Sequence, residues 1–485
     1  MLQAFEWYLP ADGKLWRRLG RQAHRLWRMG FTALWLPPAY KGSGGAGDVG
    51  YGVYDLYDLG EFRQKGTVRT KYGTKRAYIR AVRRLRSAGL QVLCDVVLNH
   101  RLGADEPETF RACRVESADR RRVASQAEDV TAYTRFTFPG RRGRYSAFTW
   151  DHRRFTGVDL RQGDSWALYL LEGKHWAEDV DGENGNYDYL MGADVDVNDP
   201  DVRQELLRWG GWYLAQTGCD GFRLDAVKHI SAAFLRDWLA DMRRLAGREL
   251  FAVGEYWQYD VGALLRYLAQ VNESMSLFDV PLHKRFHDLS HSGGRFDIRT
   301  LFEGTLVGCR PHLAVTFVDN HDTQPGQALE SWVEGWFKAA AYGLILLRAF
   351  GYPCVFWGDL MGIPSRSIGA VSELPTLLRL RRENALGPEH DYFDHAQLLG
   401  FTREGEAGAP GSGLAFLCTN GDGGEKRMYV GAAHAGQRFR CVLGGQGDVL
   451  IDGEGCGVFR VRGGGMSVYV PPLTLLERLL RMLRR

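Results

Sequence analysis

No apolar run in the 485 residues approaches the roughly 18 that a spanning helix needs, so no membrane span is expected. An excess of one charge is also missing. With 62 Lys and Arg against 58 Asp and Glu, the net charge is only +4. That balance supplies no strong field for nucleic acid or an anionic membrane, and a neutral substrate fits better. The eight cysteines (Cys94, Cys113, Cys219, Cys309, Cys354, Cys418, Cys441 and Cys456) form no CxxC and no short regular spacing. Several lie in apolar runs such as Val92-Leu93-Cys94, where Cys acts as a small buried hydrophobe, and most are expected to be free thiols. After Met1, the mixed run Leu2 to Tyr8 has neither the basic nor the long apolar region of a signal peptide. Free thiols without an export signal lead us to expect a cytoplasmic protein; a leader removed ahead of residue 1 would instead imply secretion.

Aromatics are plentiful, with 14 Trp, 21 Tyr and 24 Phe. Most serve core packing, but flat rings with polar edges also suit sugar faces in a cleft. Eight short apolar, β-rich segments recur along the chain: Leu2 to Trp7, Ala33 to Leu36, Gln91 to Leu98, Gly221 to Leu224, Leu250 to Val253, Leu277 to Val280, Leu313 to Val318 and Cys354 to Trp357. Between them lie stretches of helical periodicity, such as Val202 to Leu214, Ala232 to Leu245 and Ser331 to Leu347. Eightfold alternation of strand and helix predicts an α/β fold, a (β/α)8 barrel.

Residues 1–102 and 196–394 are read as the two parts of that barrel. Residues 103–195 are too long for a plain loop and are read as a subdomain inserted after the third strand. From about 395 to 470, short alternating segments between Gly-rich turns predict an antiparallel β-sandwich. Residues 471–485 form an amphipathic tail with Leu475, Leu476, Leu479, Leu480 and Leu483 at helical spacing, read as a terminal helix without function.

Four strand candidates run directly into residues able to do acid, base or metal work: Asp95-Val96-Val97-Leu98-Asn99-His100, Phe222-Arg223-Leu224-Asp225-Ala226-Val227-Lys228-His229, Val253-Gly254-Glu255-Tyr256-Trp257 and Phe317-Val318-Asp319-Asn320-His321-Asp322. One Asp after a strand is most often a helix cap. Four decorated ends in a barrel converge on one face and make a site.

These four segments resemble the signature regions of the α-amylase family, glycoside hydrolase family 13, and Tyr187 to Asp196 resembles a fifth. Gly50 to Phe62, Gly66 to Lys75 and Asp319 to Gly326 are most similar to the bacterial liquefying members and their intracellular relatives. The resemblance runs from the first strand to about Val470. It implies retaining hydrolysis of α-1,4-glucosidic bonds within starch, glycogen or maltodextrins, through a covalent glycosyl-enzyme.

It implies Asp225 as nucleophile, Glu255 as general acid and base, and Asp322 as the carboxylate that binds sugar hydroxyls and favours ring distortion. Arg223, two positions before Asp225 on a strand, shares its side and is expected to keep it ionised. His100, His321 and Tyr51 resemble the family's residues around the same glucose unit, and Lys228, His229 and Trp257 those on the leaving-group side. Asp95 is expected to support the site through hydrogen bonds. The family carries Ca²⁺ between barrel and insertion; Asn99, Asp188, Asp194 and the carbonyl of His229 match its ligands, all hard oxygens. Thr156 and Ala177 stand where exported relatives carry further metal-binding aspartates, which puts a second calcium in doubt. His390 and Asp391 resemble ligands of another calcium, although Asn420 stands at a position usually acidic.

The alternatives are a maltooligosaccharide-forming exo-amylase, a transglycosylase or a debranching enzyme of the same family, or an inactive barrel serving as a scaffold. The inactive reading conflicts with three intact carboxyl groups. The expected partner is an α-glucan, and a monomer is expected.

Overall fold

A computed structural model describes residues 1–162 and 165–473. All eight expected strands close into one parallel barrel: β1 (Leu2–Gln3), β2 (Ala33–Leu36), β3 (Gln91–Val96), β4 (Gly221–Leu224), β5 (Phe251–Gly254), β6 (Ser276–Phe278), β7 (Ala314–Phe317) and β8 (Tyr352–Phe356). Their residues are buried almost throughout, as both faces of a parallel sheet covered by helices require. β1 pairs with both β2 and β8, which leaves no edge.

Outside lie helices, among them α1 (Leu15–Arg28), α2 (Lys75–Ser87), α3 (Pro200–Thr217) and α4 (Ala232–Ala246). Sequence chemistry sets their ends. α3 starts at Asp199, whose carboxylate accepts from the N–H groups of Asp201 and Val202, has Pro200 in its first turn, and stops at left-handed Gly218.

Several expected elements ran one or two residues too long, and two ran four too long. The first strand ends at Gln3 rather than Trp7: Ala4 still donates to the Trp35 carbonyl beside it, but the Trp7 N–H goes to the Gln324 side chain, over the barrel mouth. The helix expected from Ser331 starts at Gly335, since the Ser331 and Val333 N–H groups are taken by the Thr323 carbonyl and the Asp319 carboxylate.

After β3 the chain builds a six-stranded antiparallel sheet. Its order is His100–Arg101, Ala193–Val195, Phe155–Gln162, Ser165–Leu171, Glu106–Val115 and Glu128–Arg135. Pairing of Asp194 with His100 ties the insertion's end to its beginning beside the barrel mouth. The C-terminal part is a second antiparallel six-stranded sheet, from Glu389–His395 to Met466–Val470, faced by a two-stranded ribbon (Gly424–Tyr429 with Cys456–Val461). Leu417, Met428, Phe439, Phe459 and Tyr469 fill the space between them. The sheet's other face packs on the barrel so closely that a Cβ at Gly343, in the helix Gly335–Leu347, would lie 2.3 Å from Phe416. No helix among the described residues is long and apolar enough to cross a membrane. The helix expected in the tail falls largely on 474–485, outside the described residues.

Candidate active site

Parallel register builds the site. Arg223 on β4 pairs with Asp95 on β3 and Val253 on β5, so Asp225 and Glu255 leave adjacent strands at neighbouring levels. The Asp225 N–H donates to the Val96 carbonyl at 2.9 Å and the Glu255 N–H to the Leu224 carbonyl at 2.9 Å, extending the ladder to both acids. Ala226 then turns left-handed, with φ of 48°. Such a backbone costs a non-glycine residue about 1–2 kcal/mol. It aims the Ala226 N–H at Glu255 Oε2, 3.2 Å away.

Beneath the two acids lies the fully buried Arg223 guanidinium. Its Nη1 donates to Asp95 at 3.0 Å and to Asp225, and its Nη2 lies 2.7 Å from Glu255. Asp95 is fixed in turn by the Trp35 indole at 2.8 Å and the Tyr51 hydroxyl at 2.9 Å. It therefore supports the site through hydrogen bonds, as expected.

Asp95, Asp225, Glu255 and Asp322 surround this one cation. Burial is the main force that raises each acid and the Arg223 charge opposes it; at Asp225, Glu255 and Asp322 neighbouring carboxylates add to the rise. Asp225 is pushed up to about 6, and it accepts a side-chain hydrogen bond from Glu255. Two carboxyl groups can share such a bond only if one keeps its proton.

The mouth above is a cleft of about 630 Å³. Nine of the ten residues expected to touch substrate or do chemistry line it: Tyr51, His100, Asp225, Lys228, His229, Glu255, Trp257, His321 and Asp322. Arg223 is the tenth and lies below the floor. His321 accepts from the Gln3 amide at Nδ1, leaving Nε2 protonated and 3.4 Å from Asp322. His100 bonds the Tyr51 carbonyl at 2.8 Å and His229 the Tyr187 carbonyl at 2.7 Å. Burial lowers all three histidines, to about 4 for His100 and about 3 for His229, so they act as neutral imidazoles. Lys228 reaches Glu183 of the insertion and the Trp257 carbonyl.

Sequence reasoning missed Trp7. It lies parallel to Tyr51 (6.2 Å between centroids, 1° between planes), and Tyr51 stacks on His321 at 5.0 Å. Reading a strand through Trp7 hid it. The insertion's Glu183, Tyr187, Leu190 and Met191 and the barrel's Tyr259 and Leu329 also line the cleft without having been singled out.

Asn99, Asp188 and Asp194 gather at the junction of barrel and insertion. The Val195 N–H donates to the Asn99 carbonyl at 2.9 Å, and His229 is tied to Tyr187, next to Asp188. Asp188 and Asp194 are buried; burial and then other carboxylates raise them, Asp188 to about 7. Neither forms an ion pair among the described residues, and the buried Asn99 Nδ2 has no partner. Buried unneutralised carboxylates cost several kcal/mol, so this oxygen-rich set fits a hard divalent cation. Asp196 is already neutralised by Lys174 at 2.6 Å, and Thr156 donates to Asp194. The expected ligands beside the C-terminal sheet are spent elsewhere: His390 pairs with Glu404 and Asp391 with Arg348. An exposed cluster of Asp452, Glu454 and Cys456 is covered by Arg427.

Carboxyl groups converging at the C-terminal mouth of a parallel barrel, beneath a cleft walled by aromatic rings, define a glycoside hydrolase. Residues 22–373 match the alpha-amylase catalytic domain, and the chain belongs to that family. It is 53% identical over 482 residues to an alpha-amylase of Geobacillus stearothermophilus (98% of this chain, 88% of that protein). It is 42% identical over 487 residues to the cytoplasmic alpha-amylase of Escherichia coli strain K12 (97% and 98%). Among solved structures, the alpha-amylase of Geobacillus thermoleovorans complexed with acarbose shares the fold, with a TM-score of 0.62 at 18% identity over 94% of this chain and 92% of that one.

Proposed function

We propose that this glycoside hydrolase cleaves internal α-1,4-glucosidic bonds of starch, glycogen or maltodextrins with retention of configuration. Asp225, ionised against Arg223, attacks the anomeric carbon, while Glu255 gives its proton to the leaving oxygen; Glu255 then takes a proton from the water that releases the glycosyl group from Asp225. Asp322 and the neutral His100 and His321 hold the reacting glucose, whose face stacks on Tyr51, with Trp7 extending that wall. Lys228, His229 and Trp257 receive the leaving chain. The observation that carries this reading is the guanidinium of Arg223 bonded to both acids below the floor of the cleft that they line.

Calcium held by Asn99, Asp188, Asp194 and the His229 carbonyl would neutralise the buried carboxylates and lock the insertion, one wall of the cleft, to the barrel. Paired Lys174 and Asp196 favour a single ion there. Free thiols at all eight cysteines and the likeness to a cytoplasmic relative support a cytoplasmic location. We propose the domain division 1–102 with 196–394, 103–195 and 395–470, and a monomer.

The test is digestion of a defined maltooligosaccharide series by the native enzyme and by Asp225→Asn. Internal cleavage lost in the variant supports the assignment. Removal of short products from one chain end only would favour an exo-acting enzyme, and undiminished Asp225→Asn activity would refute the role of Asp225.

A further inference from the structure

On the outer wall of the barrel, α1 and α2 carry a concentration of charge that the overall balance conceals. α1 contains five arginines; α2 contains five arginines and one lysine; neither contains an acid. The helices meet closely at Gly20, where a Cβ would stand 3.4 Å from Ala81, and a groove of about 530 Å³ runs along their junction. Arg17 and Arg21 rise on one bank, and Arg76, Arg80 and Arg84 on the other. Residues four apart stand about 6 Å apart along a helix, so each bank presents guanidinium groups at turn intervals. All five are exposed, and none has a side-chain hydrogen bond or ion pair among the described residues, although Arg18, Lys75 and Arg86 nearby are paired with Asp12, Glu61 and Asp220. The groove shares no lining residue with the catalytic cleft.

Five unpaired like charges facing one trough repel each other until an anion enters, and the planar guanidinium fork matches phosphate oxygens in pairs. A trough whose two charged banks belong to helices that meet closely at Gly20 fits a thin chain better than a flat bilayer or a wide duplex. Its floor is Gly20, Ala77 and Ala81, and Trp16 is fully buried, so no aromatic face is offered for stacking nucleic-acid bases. We propose that the groove between α1 and α2 binds inorganic polyphosphate, a chain of phosphates without bases.

The test uses the full-length enzyme and end-labelled inorganic polyphosphate, followed by fluorescence anisotropy over a range of salt. Saturable binding is expected, with log K falling against log salt by about 0.7 per phosphate held, as for other single-stranded polyanions. Changing Arg17, Arg21, Arg80 and Arg84 together to Gln should weaken binding about tenfold or more and leave starch hydrolysis unchanged. The matching set of Lys substitutions, which keeps the charge but not the fork, should weaken it less. No binding by the native enzyme, or equal affinity in both variant sets, overturns the proposal. So does tighter binding of single-stranded RNA of equal charge, or of phosphatidylserine vesicles over phosphatidylcholine ones, since either would assign the arginines to a different partner.

Discussion

The Nη2 of Arg223 lies 2.7 Å from Glu255 Oε2 while its Nη1 bonds Asp225, so the proposed general acid and the proposed nucleophile share one guanidinium. Removing one partner of a buried charge network leaves the others uncompensated, at a cost of about 3–5 kcal/mol. Arg223→Met should therefore lose about that much stability in urea unfolding, and Arg223→Lys less. In whichever variant folds, the acid limb of activity should move to higher pH, because the charge that opposes protonation of Asp225 is gone or displaced.

The two acids predict a bell-shaped profile of kcat/KM. Asp225 must be ionised and sits at about 6, so activity falls as pH drops through that region. Glu255 must be protonated and is raised by burial, so activity also falls as pH climbs past its elevated value. Because the two groups interact, the limbs belong to the pair. Glu255→Gln should lower kcat by about 10²–10⁴ and abolish the alkaline limb; a retained limb would assign the acid elsewhere.

Calcium should raise the melting temperature and a chelator lower it, since an ion bound only by the folded state stabilises by about 2.7 kcal/mol at a hundredfold excess over Kd. Asp194→Asn should abolish the calcium shift. Asp452→Asn, in the exposed acidic cluster already covered by Arg427, should leave it intact. Differential scanning calorimetry reads both.

Trp7→Ala removes one ring of the wall formed with Tyr51. A stacked pair contributes about 0.5–1.5 kcal/mol, so kcat/KM should fall about two- to tenfold, mostly through KM, with an unchanged pH profile.

Much of this was legible before any coordinates. The barrel strands are nearly continuous apolar runs because both faces are covered, and the polar residues that follow them mark the mouth; hence Asp225, Glu255 and Asp322 stood out. Trp7 did not, because the run from Leu2 to Trp7 looks like strand, and it is the distant Gln324 that takes the Trp7 N–H out of the ladder. The insertion's sheet order was equally hidden, since the pairing of His100 with Asp194 joins positions far apart in the chain. The net charge of +4 averages over the molecule and says nothing of the arginines that α1 and α2 turn to one groove.

The most direct test of the central claim is the anomeric form of newly released product, followed by proton NMR during the first minutes of maltooligosaccharide hydrolysis. Attack by Asp225 followed by water on the opposite face predicts the α-anomer first, relaxing later to the equilibrium mixture. Initial appearance of the β-anomer would mean that water attacks directly and that Asp225 forms no bond to the sugar.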